Sequence, residues 1–328
     1  MPRNPLTYRR HAAAALLCCL AALPALAESQ PYPAKPIHLI VPFSPGGAVD
    51  LVARALGIEI TGLTKQPVVV ENRTGAGGNI AGAFVAKSEP DGYTLLLAST
   101  GMSVNGSLYA NLNYSPEHDL LPIALVGSVP EVLLLHPSVP AKTFDELAAL
   151  ARAKPESLNF AHGGGGTTEH LAAVLLIQKL DANVQLVPYK GGGPAMTDLL
   201  GGQTQLLFTN LLNAIPSLRA GTLKALAIAS SQRSKQLPDV PTFAEMGVPD
   251  FSIEVWWGVM GPAGMPAPVV TRINELVNTA LVADQFVARL DSVGAQAKPG
   301  TPAQFSDFFN KEVVRWGAVV RAGNITPD

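Results

Sequence analysis

Between residues 37 and 260, short apolar runs alternate with stretches of helical period, and no other feature constrains the fold as tightly. Runs at 37–41, 68–71, 94–98, 123–126, 132–136, 158–161, 184–188, 205–208, 223–229 and 253–260 read as strands. Helical periodicity marks 48–60, 80–87, 144–153, 168–180 and 194–200 between them. Strand and helix in repetition predict an α/β fold with a parallel sheet covered on both faces, since each crossover helix buries its apolar stripe on the sheet. The last third reads as helical over 268–283, 284–293 and 302–321, with Gly323 as a stop. Thr143 with Glu146, Thr242 with Glu245, and Thr301 with Gln304 have capping-box spacing, the last with Pro302 at the first helical position.

The first 27 residues stand apart from this pattern. Arg3, Arg9 and Arg10 precede an apolar run from Ala12 to Leu26, and Ala25-Leu26-Ala27 is a small-residue cleavage pattern before Glu28. This is a signal peptide by its sequence, removed in the mature chain. Arg9-Arg10 imitates a twin-arginine signal, but its flanks fit poorly, so Sec-type export is expected. The run is short for a bilayer, and no other stretch approaches about 20 uninterrupted apolar residues. The expected product is therefore soluble and outside the cytoplasm. Both cysteines, Cys18 and Cys19, lie within the removed segment, which excludes a disulfide framework, a thiolate metal site and a cysteine nucleophile.

Roughly 300 mature residues suffice for two domains of ordinary size. No linker separates them, so strands are expected to cross between them near 127–130 and 251–256. The first lobe would then be discontinuous, 28–127 plus 252–328, and the second would span 128–251. Without the three leader arginines, 20 basic residues face 25 acidic ones, a net charge of −5 that argues against nucleic acid as partner.

Four glycine clusters fall between a predicted strand and the helix after it: Pro45-Gly46-Gly47, Gly75 to Gly78, Gly163 to Gly166 before Thr167-Thr168, and Gly191 to Gly193 after Lys190. Such loops lie at the carboxyl ends of strands, where open α/β sheets bind ligands. Glycine there also exposes the unsatisfied N–H groups of the helix start to an anion, and one is expected at Gly46-Gly47. A nucleotide fits less well, since no loop reads G-x-x-x-x-G-K followed by Ser or Thr, and no G-x-G-x-x-G occupies the first turn. There is no G-x-S-x-G elbow, no H-E-x-x-H and no ligand-spaced histidine pair, so no catalytic residue, metal or cofactor is implied. His38 and His136 read as structural, and His118 falls in a polar loop. His162 and His170 flank the third cluster and either face the cleft or cap. Asp50 reads as a helix-start residue that complements the dipole. Of Trp256 and Trp257, one is expected in the core and the other against the cleft.

The segments PYPAKPIHLIVPFSPGGAVD (31–50), ENRTGAGGNIAG (71–82), DGYTLLLAST (91–100), VPYKGGGPAMTDLLGG (187–202), LPDVPTFAEMG (237–247) and WWGVMGPAGMPAPVV (256–270) together resemble the Bug/TctC extracytoplasmic solute receptors, the binding proteins of tripartite tricarboxylate transporters. The resemblance implies a periplasmic-binding-protein fold of type II character, two lobes joined by two crossing strands and closing on a ligand. It implies a periplasmic monomer that captures a small organic carboxylate through backbone amides, hydroxyls and water and hands it to membrane transporter subunits. By position it assigns first-lobe contacts to Phe43, Pro45, Gly46, Gly47, Ala48, Ser99, Thr100 and Asn105. Second-lobe contacts fall on Gly163, Thr167, Thr168, His170, Tyr189, Gly191, Thr209 and Asn210. Many relatives carry an acidic residue where this chain has Thr209, so a di- or tricarboxylate or an aromatic acid is favoured over an amino acid. The alternatives are a ligand sensor signalling to a membrane kinase and a secreted hydrolase using Ser44 or Ser99 with His162 or His170.

Overall fold

In the computed structural model, residues 32–292 and 294–327 are described. The chain divides into units 1–34 and 35–328, and every element named below lies in the second. The signal-peptide reading and both cysteines fall outside the described residues.

The strands are β1 (Ile37–Val41), β2 (Val68–Asn72), β3 (Thr94–Ser99), β4 (Leu120–Leu135), β5 (Asn159–His162), β6 (Gln185–Pro188), β7 (Leu206–Asn210), β8 (Lys224–Ile228), β9 (Glu254–Pro262) and β10 (Gln296–Ala297). The helices are α1 (Ala48–Thr64), α2 (Asn79–Ala86), α3 (Gly101–Leu108), α4 (Phe144–Ala153), α5 (Thr168–Leu180), α6 (Gly192–Leu200), α7 (Leu211–Arg219), α8 (Ala267–Leu281), α9 (Asp284–Ser292) and α10 (Pro302–Ala322).

The sheet runs β2-β1-β3-β9-β4-β7-β5-β6, with β8 and β10 also on β4. Its outer parts are parallel, β2-β1-β3 on one side and β7-β5-β6 on the other. The expectation of a wholly parallel sheet is corrected at the centre, where β9 is antiparallel to both β3 and β4, and β4 is antiparallel to β7 and β8. Alternation of strands and helices reports crossovers; it is silent on the direction of strands that arrive through loops.

The two predicted strands 123–126 and 132–136 are one strand of 16 residues. Pairing with β9 reaches Pro130, and pairing with β7 begins at Glu131. Glu131 is the junction. Its N–H donates to Ile253 O at 3.0 Å, its carbonyl accepts from Ala229 N–H at 2.8 Å, and Ile253 N–H donates to Ala229 O at 2.8 Å.

One core cluster gathers Leu133, Leu135, Phe160 and Phe208 under α4, α5 and the C-terminal half of α10, where Trp316 is buried. Another gathers Ile40, Leu96, Ala98 and Met102 with Phe305 and Phe309 from the first half of α10. That one helix therefore packs on both parallel groups. Its start has a full capping box between Thr301 and Gln304, so its first turn is fixed as well as its face. The division of labour expected of the tryptophans is corrected: Trp256 and Trp257 are both buried, at 0% and 1% exposure. Trp256 meets Phe305, Phe308 and Phe309 edge-on, with centroids 5.7 to 6.1 Å away, an arrangement that favours the ring quadrupoles.

Candidate ligand-binding site

The parallel groups place strand-to-helix turns around a cavity of about 560 Å³. Gly47, Ala48 and Val49 enter it from the turn into α1, Gly77 from the loop before α2, and Ser99, Thr100 and Gly101 from the turn into α3. Gly165 to Glu169 approach from the start of α5, Gly192 from α6 and Asn210 from the end of β7. Phe43, Asn105, Leu108, Tyr109 and Val255 complete the wall. No Lys or Arg lines it, and Glu169 is its one carboxylate among the described residues.

The helix starts differ in how their amides are engaged. α1 and α3 have no side-chain cap. In α1 the first intrahelical bond is Leu51 N–H to Gly47 O at 3.0 Å, so the amides of Ala48 and Val49, two of the lining residues, precede the ladder. Thr100 turns its hydroxyl to Trp256 N–H, 3.1 Å away, instead of capping α3. α6 starts at Gly191, φ +104°, again without a side-chain cap. α5 and α7, by contrast, are capped: Thr167 Oγ1 accepts from His170 N–H at 3.3 Å, and Asn210 Oδ1 accepts from Asn213 N–H at 3.2 Å. The open amides thus concentrate toward α1, α3 and α6, where the positive dipole ends favour an anion.

Asp50 holds the first turn in place. Its carboxylate accepts from Gly46 N–H, from Arg54 Nε and Nη2, and from Asn72 Nδ2, each at 2.9 Å. The Arg54 hydrogen bond, joined by those from Gly46 and Asn72, outweighs burial and lowers its pKa from 3.8 to about 2. A carboxylate favoured in the folded state contributes stability that is present above its ordinary value and fades as pH falls toward the folded one. Asp50→Asn is therefore expected to cost about 1–2 kcal/mol at neutral pH, discounted because Arg54 is half-exposed. Thermal melts at pH 7 and pH 2 check this: the difference from wild type should shrink markedly at the lower pH, and an unchanged difference would assign the loss to packing.

Of the sixteen predicted contact residues, nine line the cavity: Phe43, Gly47, Ala48, Ser99, Thr100, Asn105, Thr167, Thr168 and Asn210. The other seven stand off the lining. Pro45 and Gly46 are exposed, the latter with its amide on Asp50. Gly163 and Gly191 hold the third and fourth loops together, Gly191 N–H donating to Gly163 O at 3.1 Å. Tyr189 donates its hydroxyl to Asp198 at 2.7 Å. Thr209 is buried, its Oγ1 accepting from Asn213 Nδ2 at 3.4 Å. His170 stacks on His162 with ring centroids 4.0 Å apart, and its Nδ1 accepts from Gly166 N–H at 3.2 Å. The histidine pair buttresses the Gly-rich turn from outside the lining.

Lining residues that sequence reasoning did not single out include Leu108, Tyr109, Val255 and Glu169. The first two end a helix with no periodic signature, and Glu169 lies in the first turn of α5 without a motif that singles it out. Burial raises the Glu169 carboxyl, against the lowering pull of its own N–H and of Thr167.

Residues 52–325 match the model of the tripartite tricarboxylate transporter family receptor, TctC. The chain is 40% identical to BugT of Bordetella pertussis over 303 residues, 92% of this chain and 93% of that protein. Among solved structures it resembles an R. palustris protein with adipate, TM-score 0.78 and 32% identity, covering 90% of this chain and all of that one. MatC from Rhodopseudomonas palustris with bound malate gives a TM-score of 0.74 at 35% identity, covering 88% of this chain and all of that one. The fold is that of the periplasmic solute-binding proteins of TctC/Bug type. This chain belongs to the TctC/Bug receptor family.

Proposed function

We propose that the protein is a periplasmic receptor, exported by residues 1–27, that captures a small organic carboxylate and delivers it to a tripartite tricarboxylate-type transporter without chemical change. The observation that carries this reading is the set of uncapped helix starts opening on one cavity with no Lys or Arg in its wall. Amides and dipole ends hold an anion without fixing it as an ion pair would, which suits a ligand that must be released. Adipate and malate in related structures support the ligand class. The change of β4 partners at Pro130 and Glu131 supports two lobes, 28–127 plus 252–328 and 128–251. Contacts from the starts of α1 and α3 on one lobe and of α5 and α6 on the other would favour a closed state, because only closure offers both sets together. The receptor would act as a monomer.

The test is a thermal-shift screen of the exported protein, unfolded and refolded to strip carried-over ligand, against mono-, di- and tricarboxylates, aromatic acids and amino acids. A ligand at a hundredfold excess over its Kd adds about 2.7 kcal/mol to stability. A selective shift within one class supports the reading, and no shift with any compound overturns it. Gly47→Val sharpens the test. A Cβ at Gly47 meets only Ser44 O, at 3.5 Å, so the fold should be kept. The branched side chain would nevertheless screen the Ala48 and Val49 amides, and binding should weaken by about 2 kcal/mol by titration calorimetry. Unchanged affinity would remove the first turn from the site.

A further inference from the structure

Glu131 is 0% exposed, and neither of its carboxyl oxygens has a hydrogen-bond partner. Its place in the sheet says where it points. Across the β4–β7 ladder it stands opposite Asn210, and two residues back Val129 stands opposite Val255 on β9. Directly opposed residues share a face of the sheet, and so do residues two apart. Asn210 and Val255 both line the cavity, so Glu131, buried and not itself in the lining, lies beneath it on the face they share. Burial disfavours ionisation of Glu131, and the carboxyl of Glu169, in the wall, adds like-charge repulsion. Neither acid has a salt-bridge partner among the described residues. A buried Glu131 beside a half-buried Glu169, with no such partner for either, is costly while both are charged. Glu169 is offset in part by its own N–H and by Thr167 at the start of α5, whereas Glu131 has no donor, so its compensation is a proton or a group brought by the ligand.

The turns that follow β1 and β3, on the other side of β9 and β4 in the sheet, have the converse character, with the uncapped starts of α1 and α3. We propose that the cavity binds its ligand with fixed polarity, a carboxylate at the Ala48–Val49 and Gly101 amides and a protonated amine at Glu169 over Glu131, so that the solute is an amino-monocarboxylate and not a dicarboxylate. The inference rests on the receptor reading above and narrows its ligand class. It also reverses what Thr209 suggested. The two carboxyl groups of the site come instead from Glu131 on β4 and Glu169 at the start of α5.

Titration calorimetry of the exported, refolded protein with two matched series tests it. One series is the dicarboxylates succinate, glutarate and adipate; the other is 3-aminopropanoate, 4-aminobutanoate and 5-aminopentanoate, in which an ammonium replaces one carboxylate. At whichever length binds, the amino acid should bind about tenfold or more tighter than its dicarboxylate. Glu169→Gln, which keeps the shape and removes the charge, should weaken the amino acid by about tenfold and leave the dicarboxylate unchanged or tighter. A dicarboxylate that binds as well as or better than its amino counterpart in the wild type overturns the polarity, whatever the variant does, and leaves the receptor reading standing. Equal weakening of both series by Glu169→Gln also overturns it. Failure of both series together with every other carboxylate in the screen overturns the receptor reading and the inference with it.

Discussion

Gly166→Ala is expected to lower the stability of the protein by about 3 kcal/mol and its melting temperature by roughly 6 °C. Two costs combine at this position. Gly166 has φ +74°, a left-handed conformation that a Cβ disfavours by about 1–2 kcal/mol. The added Cβ would also lie 2.2 Å from Leu108 Cδ2 and 3.4 Å from Leu108 Cδ1 and Cγ. Leu108 cannot retreat easily, because it is 7% exposed and packed in the cluster that contains Val104 and Trp316. Overpacking of that kind costs about 1–3 kcal/mol. Gly221 supplies the control: its φ is +68° with nothing within 4 Å of a Cβ, so Gly221→Ala carries the backbone cost alone. Since Gly166 and Leu108 both line the cavity, the same substitution should weaken ligand binding about tenfold. A melt of Gly166→Ala no lower than that of Gly221→Ala would mean that the contact with Leu108 relaxes freely, and the tight turn would lose its assigned role.

The α/β class was legible because period is a local property. Helices α4 and α5 fall where the apolar spacing puts them, Phe144–Ala153 and Thr168–Leu180, and β1 spans Ile37–Val41 as read. What escaped were elements whose local signal is poor. α3 is GMSVNGSL, with two glycines and three polar residues in eight, and it is helical because Met102, Val104 and Leu108 are buried against neighbouring elements. α7 contains Pro216, which weakens any helix prediction, yet Asn210 caps it and Leu211 and Ala214 anchor it. β4 was read as two strands because Gly127 and Pro130 interrupt it. Both are accommodated by close pairing, Gly127 facing the Gln296 carbonyl so tightly that a Cβ would approach it to 2.5 Å.

The candidate site was legible where it consists of backbone. Glycines between a strand and a helix advertise open amides, and the clusters at 46–47, 75–78, 163–166 and 191–193 each bring at least one residue to the cavity wall. Side chains were another matter. Whether His170 faces a ligand or a neighbouring ring depends on the turn of α5 against β5, and the answer is a stack on His162. Glu131 falls between the two predicted strands 123–126 and 132–136, and no motif singles it out. Its meaning appears only when pairing with Asn210 and Val129 with Val255 fix which face it occupies.

Glu131→Gln is expected to flatten the dependence of stability on pH. Burial, reinforced by the Glu169 charge, raises the Glu131 carboxyl well above its ordinary value of 4.5. Below that value the folded and unfolded chains both carry the proton, and the residue makes no difference between them. As pH rises above it, the unfolded chain releases the proton while the folded chain retains it, so the native state binds more protons and stability falls. The slope is at most about 1.4 kcal/mol per pH unit for one group. Glutamine has nothing to release. Glu169 is raised for the same reason of burial and acts with the same sign, but it is present in both proteins and cancels to first order in their difference. A buried amide and a buried protonated carboxyl are both polar and unpartnered, so the two proteins should be close in stability near pH 4.5. By pH 7.5 the variant should be clearly the more stable of the two. Urea unfolding of the ligand-free proteins at intervals across that range measures the divergence directly. Parallel curves would mean that the carboxyl ionises in the folded protein as readily as in the unfolded one, and the protein would then already hold a countercharge for Glu131.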